Sequence, residues 1–371
     1  MNQSKNQGKK TYDCPIILMI IGGMGAGGKE RQLIVHLKAM KERNSYAMLL
    51  VVLNPHGSRE EEASLYADEV ITIKRRIKVD LLSPFIKLVK ITKKNNVQLI
   101  HSWGSGIWDL ISLLVAKWCR VPFLHNGIQS APSHLNLSNR LSKASALLAN
   151  AVVANSQAGL SAFGMINHPR SNVIYNGLDL NRFSHFSNTD VNTNLCMVAN
   201  FRIEKDHKTL ILSMPAIIKV FPEVRLFLVG HDFGTMRGIK NLVNELGLSE
   251  NVEFITNTLI PESYIANSRI CILATHGEGI SNVLLEYMAL SKPIIVSNNG
   301  GNPEVIISGV NGHLIPPSSP EALSSSVIEL LKNEECARKM GAAGKKMVEE
   351  KFSVPKMLAA FEKLYAELLN N

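Results

Sequence analysis

The stretch Thr275-His276-Gly277-Glu278-Gly279-Ile280-Ser281-Asn282-Val283-Leu284-Leu285-Glu286 sets two carboxylates eight residues apart around the start of an apolar helix. Ser281 suits the cap position, so Glu278 falls in the loop before the helix and Glu286 on its second turn. A nucleoside diphosphate fits this frame lengthwise. The N–H groups of the first turn, around Gly279, Ile280, Ser281 and Asn282, would meet the pyrophosphate, while Glu286 accepts hydrogen bonds from two ribose hydroxyls. Glu278 would reach whatever hangs from the terminal phosphate. Taken alone, the pair is better explained as one solvated glutamate and one on a helix face.

A second cluster changes that balance. Asn200-Phe201-Arg202-Ile203-Glu204-Lys205-Asp206-His207-Lys208 crowds Arg202, Lys205 and Lys208 into one loop between a strand and a helix. Fixed positive charge at a pyrophosphate stabilises the departing anion more than the bound substrate, which is the use such a loop would have. A solvated basic loop is the alternative. A third motif, Gly22-Gly23-Met24-Gly25-Ala26-Gly27-Gly28, follows an aliphatic strand and opens a helix, which is a phosphate-loop context. Gly23, Gly25 and Gly28 satisfy GxGxxG, but the next strand ends in Asn54-Pro55-His56 and lacks the acid that a dinucleotide fingerprint needs. A tight turn without a ligand stays open for this loop.

The elements that must position these groups follow from the spacing of apolar residues. Short aliphatic runs alternate with amphipathic stretches, the pattern of a parallel sheet buried on both faces. Strands are expected at 15–21, 46–53, 70–73, 97–101, 121–125 and 151–154, with helices at 28–43, 80–94, 106–118, 138–149 and 156–163. Residues 175–194, rich in Asn, Ser and Thr, break the rhythm and are read as a linker. The pattern restarts with strands at 195–199, 224–229, 251–254, 270–273 and 293–296. Helices are expected at 207–220, 235–246, 262–267, 280–290, 320–332, 335–350 and 354–369. The fold class is therefore α/β with two doubly wound, Rossmann-like domains, 1–185 and 186–371. Whether the C-terminal helix packs back on the first domain is left open. The default site lies in the cleft between such domains.

The 371 residues suffice for two cores, and 46% hydrophobic with 19% charged residues is ordinary globular usage. The five cysteines are far apart, without CxxC or a histidine at metal spacing, so neither a disulfide framework nor a zinc site is expected. The apolar run from Pro15 to Ile21 is too short to span a bilayer and no signal cleavage site is seen, so a cytoplasmic protein is expected. Net charge is +9, and all of the excess lies early: residues 1–190 hold 23 Lys and Arg against 12 Asp and Glu. Lys74, Arg75, Arg76 and Lys78, then Lys87, Lys90, Lys93 and Lys94, form a basic amphipathic stretch suited to an acidic membrane surface. An ordinary solvated helix is the alternative. No nucleic-acid motif is present, and nucleic acid is not expected as a partner.

These residues together resemble the retaining glycosyltransferases of family 4, which have the GT-B fold. The likeness rests on Gly27-Gly28-Lys29-Glu30, Val173-Ile174-Tyr175-Asn176-Gly177-Leu178-Asp179, Lys205-Asp206-His207, and Glu278 with Glu286, and it covers about Cys14 to Leu369. It implies a nucleotide-sugar donor, expected to be a UDP-sugar, bound mostly by the C-terminal domain. A glycan or lipid-linked saccharide acceptor of cell-surface polysaccharide synthesis would be bound mostly by the N-terminal domain. It implies no metal and no other cofactor, in keeping with the lack of an Asp-x-Asp that could hold a divalent ion. Residue by residue, it makes Lys205 the phosphate lysine, Glu278 the grip on the donor sugar and Glu286 the ribose ligand. Gly27 and Gly28 match the loop that faces the phosphates. Where the family usually carries an arginine five residues before the lysine, this chain has Asn200, with Arg202 as the nearby substitute. Trp103 stands where a second histidine would follow His101, and His125 is the better match to the family's cleft histidine, unless either histidine merely ends its strand. The expected catalytic set is Glu278, Lys205, Arg202 and His125. A sugar-nucleotide epimerase of the same fold and a catalytically silent partner subunit are the two rival readings.

Overall fold

In a computed structural model of the protein, the described residues are 12–25, 27–55, 57–74, 80–186, 193–256 and 258–370. Ala26 of the glycine loop and Arg75, Arg76 and Lys78 of the basic stretch lie outside them.

The first sheet is built from β1 (Ile16–Gly23), β2 (Ala47–Asn54), β3 (Glu69–Thr72), β4 (Leu99–Ser102), β5 (Phe123–Ile128), β6 (Ala151–Ala154) and β7 (Ser171–Val173). Between these strands run α1 (Gly28–Arg43), α2 (Glu60–Ser64), α3 (Leu82–Lys94), α4 (Ile107–Cys119), α5 (Leu137–Leu147) and α6 (Gln157–Ala162). Strand order is β3-β2-β1-β4-β5-β6-β7, with β1 in parallel register to β2 from Ile16↔Ala47 to Gly23↔Asn54. The continuous aliphatic run of β1 has helices over both sheet faces, which is why Ile17 to Ile21 are all fully buried.

After a 3-10 turn at Leu180–Phe183 come β8 (Leu195–Val198), α7 (His207–Ile218), β9 (Leu226–Val229), α8 (Met236–Glu245), β10 (Val252–Ile255) and α9 (Pro261–Ala266). Then follow β11 (Ile270–Leu273), α10 (Asn282–Ala289), β12 (Ile294–Ser297), α11 (Asn302–Val305), β13 (His313–Ile315), α12 (Pro320–Lys332), α13 (Glu334–Lys351) and α14 (Val354–Asn370). The second sheet has the order β10-β9-β8-β11-β12-β13. Its core runs from Leu195 and Leu226 through Ile272, Leu285 and Ile295 to Leu330 and Phe352.

Strand order reverses between β1 and β4 in one sheet and between β8 and β11 in the other. In open parallel sheets such switch points hold the ligand crevice, at the carboxyl ends of the strands. By contacts the chain divides into two units, one of Met1–Gly127, Leu137–Val152 and Phe361–Asn371, the other of Ile128–Asn136 and Val153–Ala360. α14 contributes its first residues to the second unit and the rest to the first. No helix among the described residues is long and apolar enough to cross a membrane.

Candidate active site

The second unit joins the two motifs read in its sequence at the β8/β11 switch point. The loop after β8 carries Arg202 to Asp206, and the loop after β11 carries Thr275 to Ser281. Backbone ties hold one to the other: the Glu204 carbonyl accepts the His276 N–H (2.9 Å) and the Thr275 hydroxyl (2.9 Å), and the Ala274 carbonyl accepts the Asp206 N–H (3.1 Å). Asp206 itself caps α7, accepting the N–H (3.1 Å) and hydroxyl (2.6 Å) of Thr209. His207 stacks on Phe201 with ring centroids 4.5 Å apart, and burial lowers its pKa to about 4, so it stands in the site's floor as a neutral ring.

On this frame Lys205 and Glu278 form an ion pair whose side chains are 14% and 19% exposed. A cation and an anion 73 residues apart in sequence thus neutralise each other at one point, with water still in reach of both. Arg202 behaves differently. Its guanidinium lies 4.0 Å over the Phe233 ring and 3.8 Å from Glu204, on a half-exposed side chain, and Lys208 is exposed on α7. The sequence's cluster of three cations is therefore one cation at the pair, one stacked on an aromatic ring and one in solvent. Asn200, where the resemblance calls for arginine, accepts the His231 N–H at 3.1 Å and serves the neighbouring loop.

Glu278 leads through Gly279 and Ile280 to Ser281 and α10. Ser281 is the N-cap residue, as expected, yet its side chain makes no cap hydrogen bond, and this corrects the role given to its hydroxyl. The helix start is held from elsewhere: the Asn176 amide donates to the Asn282 side-chain oxygen at 2.8 Å. That contact gives the Tyr175-Asn176-Gly177 motif a task at the site which its residue types alone did not disclose. Glu286 sits on the second turn with 2% exposure.

The sequence reading missed the wall opposite the loop, Asn298-Asn299-Gly300-Gly301. The Gly301 N–H donates to the Glu278 carbonyl at 2.9 Å. Gly300 has φ near +53°, and a Cβ there would strike the Glu278 backbone, so two independent reasons demand glycine. A Cβ at Gly279 would meet the Asn155 side-chain amide, which can move. The Gly-Gly pair after β12 was the available signal.

Gly27, Gly28 and His125 belong to the first unit. Gly27 is the N-cap of α1, and Glu30 folds back against it, as a carboxylate at the third helical position does when it serves the cap. Lys29 donates to the Gly104 carbonyl at 3.1 Å, joining the loops after β1 and β4 at that sheet's switch point. His125 is fully buried. Its Nδ1 accepts the Gly127 N–H at 3.3 Å, and its Nε2 lies 3.3 Å from Asp109 Oδ2 but off-line for a good hydrogen bond. Asp109 also accepts from Ser102 (2.8 Å) and Ser142 (2.6 Å). Burial pushes its carboxyl pKa up, but His125, Ser142 and Lys29 outweigh that and hold it below the usual carboxylate range. His101 is buried as well, with Nδ1 2.7 Å from the Tyr365 hydroxyl, which also meets His36 Nε2 at 2.9 Å.

Residues 179–347 match the family described as glycosyl transferases group 1. The N-acetyl-alpha-D-glucosaminyl L-malate synthase of Bacillus anthracis is 32% identical over 48% of this chain and 46% of its own. A capsular polysaccharide biosynthesis glycosyltransferase of Staphylococcus aureus is 27% identical over 52% and 51%. The chain thus aligns with about half the length of the curated relatives it matches. Among solved structures, the Anabaena protein HepE in complex with UDP-glucose superposes with a TM-score of 0.82 at 21% identity, over 95% of this chain and 99% of that one. At that identity the likeness is one of fold.

Proposed function

We propose that this chain, whose residues 179–347 match the group 1 glycosyltransferases and whose architecture is GT-B, transfers a sugar from a nucleotide-sugar donor to a hydroxyl of an acceptor. The Lys205–Glu278 pair carries this reading. A donor brings a pyrophosphate for the cation and sugar hydroxyls for the carboxylate, so each member of the pair exchanges its partner for a complementary part of one ligand. The start of α10 adds N–H groups that the Ser281 side chain does not occupy, and Glu286 is the ribose ligand.

The donor in this reading is a UDP-sugar, supported by the fold shared with a protein that binds UDP-glucose. The acceptor is a glycan or lipid-linked saccharide of cell-surface polysaccharide synthesis, supported by the capsular relative. It is met by the first unit, at the inner face of a membrane. The bond from the anomeric carbon to the phosphate oxygen breaks first. The acceptor oxygen then bonds to the same face of that carbon, and its proton passes to the departing phosphate, which retains the configuration. Lys205 and the α10 start supply the charge that stabilises the leaving diphosphate, so this reading requires no divalent ion.

Lys205→Ala tests it. Transfer from a UDP-sugar should fall in kcat by about 100-fold or more, with donor affinity falling less, because the leaving charge is fully developed only in the transition state. A variant that keeps more than about a tenth of the parent kcat removes Lys205 from the mechanism.

A further inference from the structure

The outer face of α3 and the end of α4 combine two features that a water-facing helix pair has no reason to combine. Inner positions Pro84, Leu88 and Thr92, four residues apart, are buried in the first unit. At the opposite positions Leu82 is 68% exposed and Ile86 is 43% exposed, and on the packed neighbour α4 Leu114 is 50% and Trp118 66% exposed. Phe85 meets the Trp118 ring edge-on at 6.3 Å, which joins the two helices' apolar residues into one patch. The same two helices and the residue after α4 carry Lys87, Lys90, Lys93, Lys94, Lys117 and Arg120, all exposed.

Asp80, half-buried just before α3, accepts the Ser83 N–H at 3.0 Å, and past it acids are scarce. Asp109 is the only Asp or Glu from residue 81 to residue 178, and it is fully buried against His125 and two serines. Every exposed charge of α3 and α4 is therefore positive. A polyanion in water would account for the lysines but not for four large apolar side chains left among them. A surface with negative headgroups over hydrocarbon accounts for both. Tryptophan and leucine sit at the headgroup boundary, and lysines around them meet lipid phosphates.

We propose that the α3–α4 face seats the protein on an anionic lipid bilayer, with Trp118, Leu114, Leu82 and Ile86 entering the interface and Lys87, Lys90 and Lys94 meeting the headgroups. This deepens the membrane-side part of the functional reading and rests on it only for the identity of the acceptor. The basic stretch read in the sequence supplied the charge, but the apolar half of the face needed α4, which sequence order places after another strand.

The experiment uses the full chain with vesicles of phosphatidylcholine alone and of phosphatidylcholine mixed with phosphatidylglycerol. Trp103 and Trp108 are 2% and 7% exposed, so a change in tryptophan emission on binding reports Trp118. Anionic vesicles should sediment the protein, shift its emission to shorter wavelength, and quench it when the acyl chains are brominated. The triple variant K87E/K90E/K94E should lose vesicle affinity by about tenfold or more, and raised salt should weaken the parent likewise. L82S/L114S should keep the electrostatic attraction but lose the quenching. Equal sedimentation of parent and triple variant overturns the proposal, as does binding without quenching. A lipid-free dimer that L82S/L114S returns to monomer also overturns it, by assigning the face to a second copy. UDP-induced thermal stabilisation, followed in the same variants, separates the two readings. Vesicle binding without a UDP response spares this face and removes the transferase reading, and the reverse result does the opposite.

Discussion

Two acid–base pairs in this molecule, Asp109 on α4 with His125 inside β5 and Lys205 with Glu278 in the loops after β8 and β11, are built to opposite ends. In the first unit Asp109 and His125 are both fully buried, and the carboxylate is further satisfied by Ser102 and Ser142. In the second unit Lys205 and Glu278 have each other, with part of each side chain in water. A carboxylate with three partners in a dry place is locked, because any exchange leaves a buried charge uncompensated. A pair at the rim of a loop loses little when a ligand takes both members, since water and ligand can replace each contact. The serine-bonded carboxylate is fixed in place, while the half-exposed pair is open to exchange its partners for a ligand.

The largest effect should come from breaking the locked pair. Asp109→Ala leaves two buried serine hydroxyls without their acceptor and should cost about 3–5 kcal/mol of stability, at about 1–3 kcal/mol for each orphaned group. Lys205→Ala, measured in the same urea titration, should move stability by no more than about 1 kcal/mol. Comparable losses from the two variants would mean that exposure does not distinguish the pairs.

Much of this arrangement could be read from the sequence, and the parts that could not share a cause. The span of α1, 28–43, and of α12, 320–332, follow from apolar spacing alone, and most strand bounds fall within two or three residues of expectation. β7, β13, α2 and α11 were not foreseen, because three to five residues are too few to show a period. Lys205 and Glu278 were singled out through the family likeness as much as through their chemistry. Arg202 was expected beside Lys205 since both lie on one loop, but loop residues three apart need not point the same way, and a nearby aromatic ring, Phe233, took the guanidinium. The bonds of His36 and His101 to Tyr365 join residues hundreds of positions apart, so no local pattern announces them.

Those two histidines give the second test, which extends the contrast to protons. Burial lowers the His36 pKa to about 3 and takes that of His101 well below its ordinary value, with His36 and His125 adding repulsion for His101. In the unfolded chain both titrate near 6.5. Between 6.5 and the folded values the unfolded state binds protons that the folded state does not, so stability is full above about pH 6.5 and declines as pH falls. Each such histidine should cost about 1.4 kcal/mol per pH unit in that window. All three tryptophans, Trp103, Trp108 and Trp118, belong to the first unit, so urea unfolding followed by tryptophan emission reads this unit directly. A midpoint that stays constant from pH 7.5 to pH 5 would show that these rings are protonated in place.

The smallest expected effect separates two serines within the second unit. Ser156 caps α6, its hydroxyl accepting the Gly159 N–H at 3.0 Å, whereas Ser281 occupies the cap position of α10 without a side-chain cap bond. Replacing a working cap by alanine typically costs about 1 kcal/mol, because a first-turn N–H loses its acceptor. Ser156→Ala should show that loss. Ser281→Ala should change stability by less than about 0.5 kcal/mol, as the hydroxyl holds no helix N–H that would be orphaned. If the two substitutions cost the same, the Ser281 hydroxyl caps α10 in solution and the N–H groups there are less available to an anion than the reading of this site requires. If Ser281→Ala is silent in stability but weakens UDP, the helix start is kept uncapped for the ligand, as the rim pair at Lys205 and Glu278 is kept unburied.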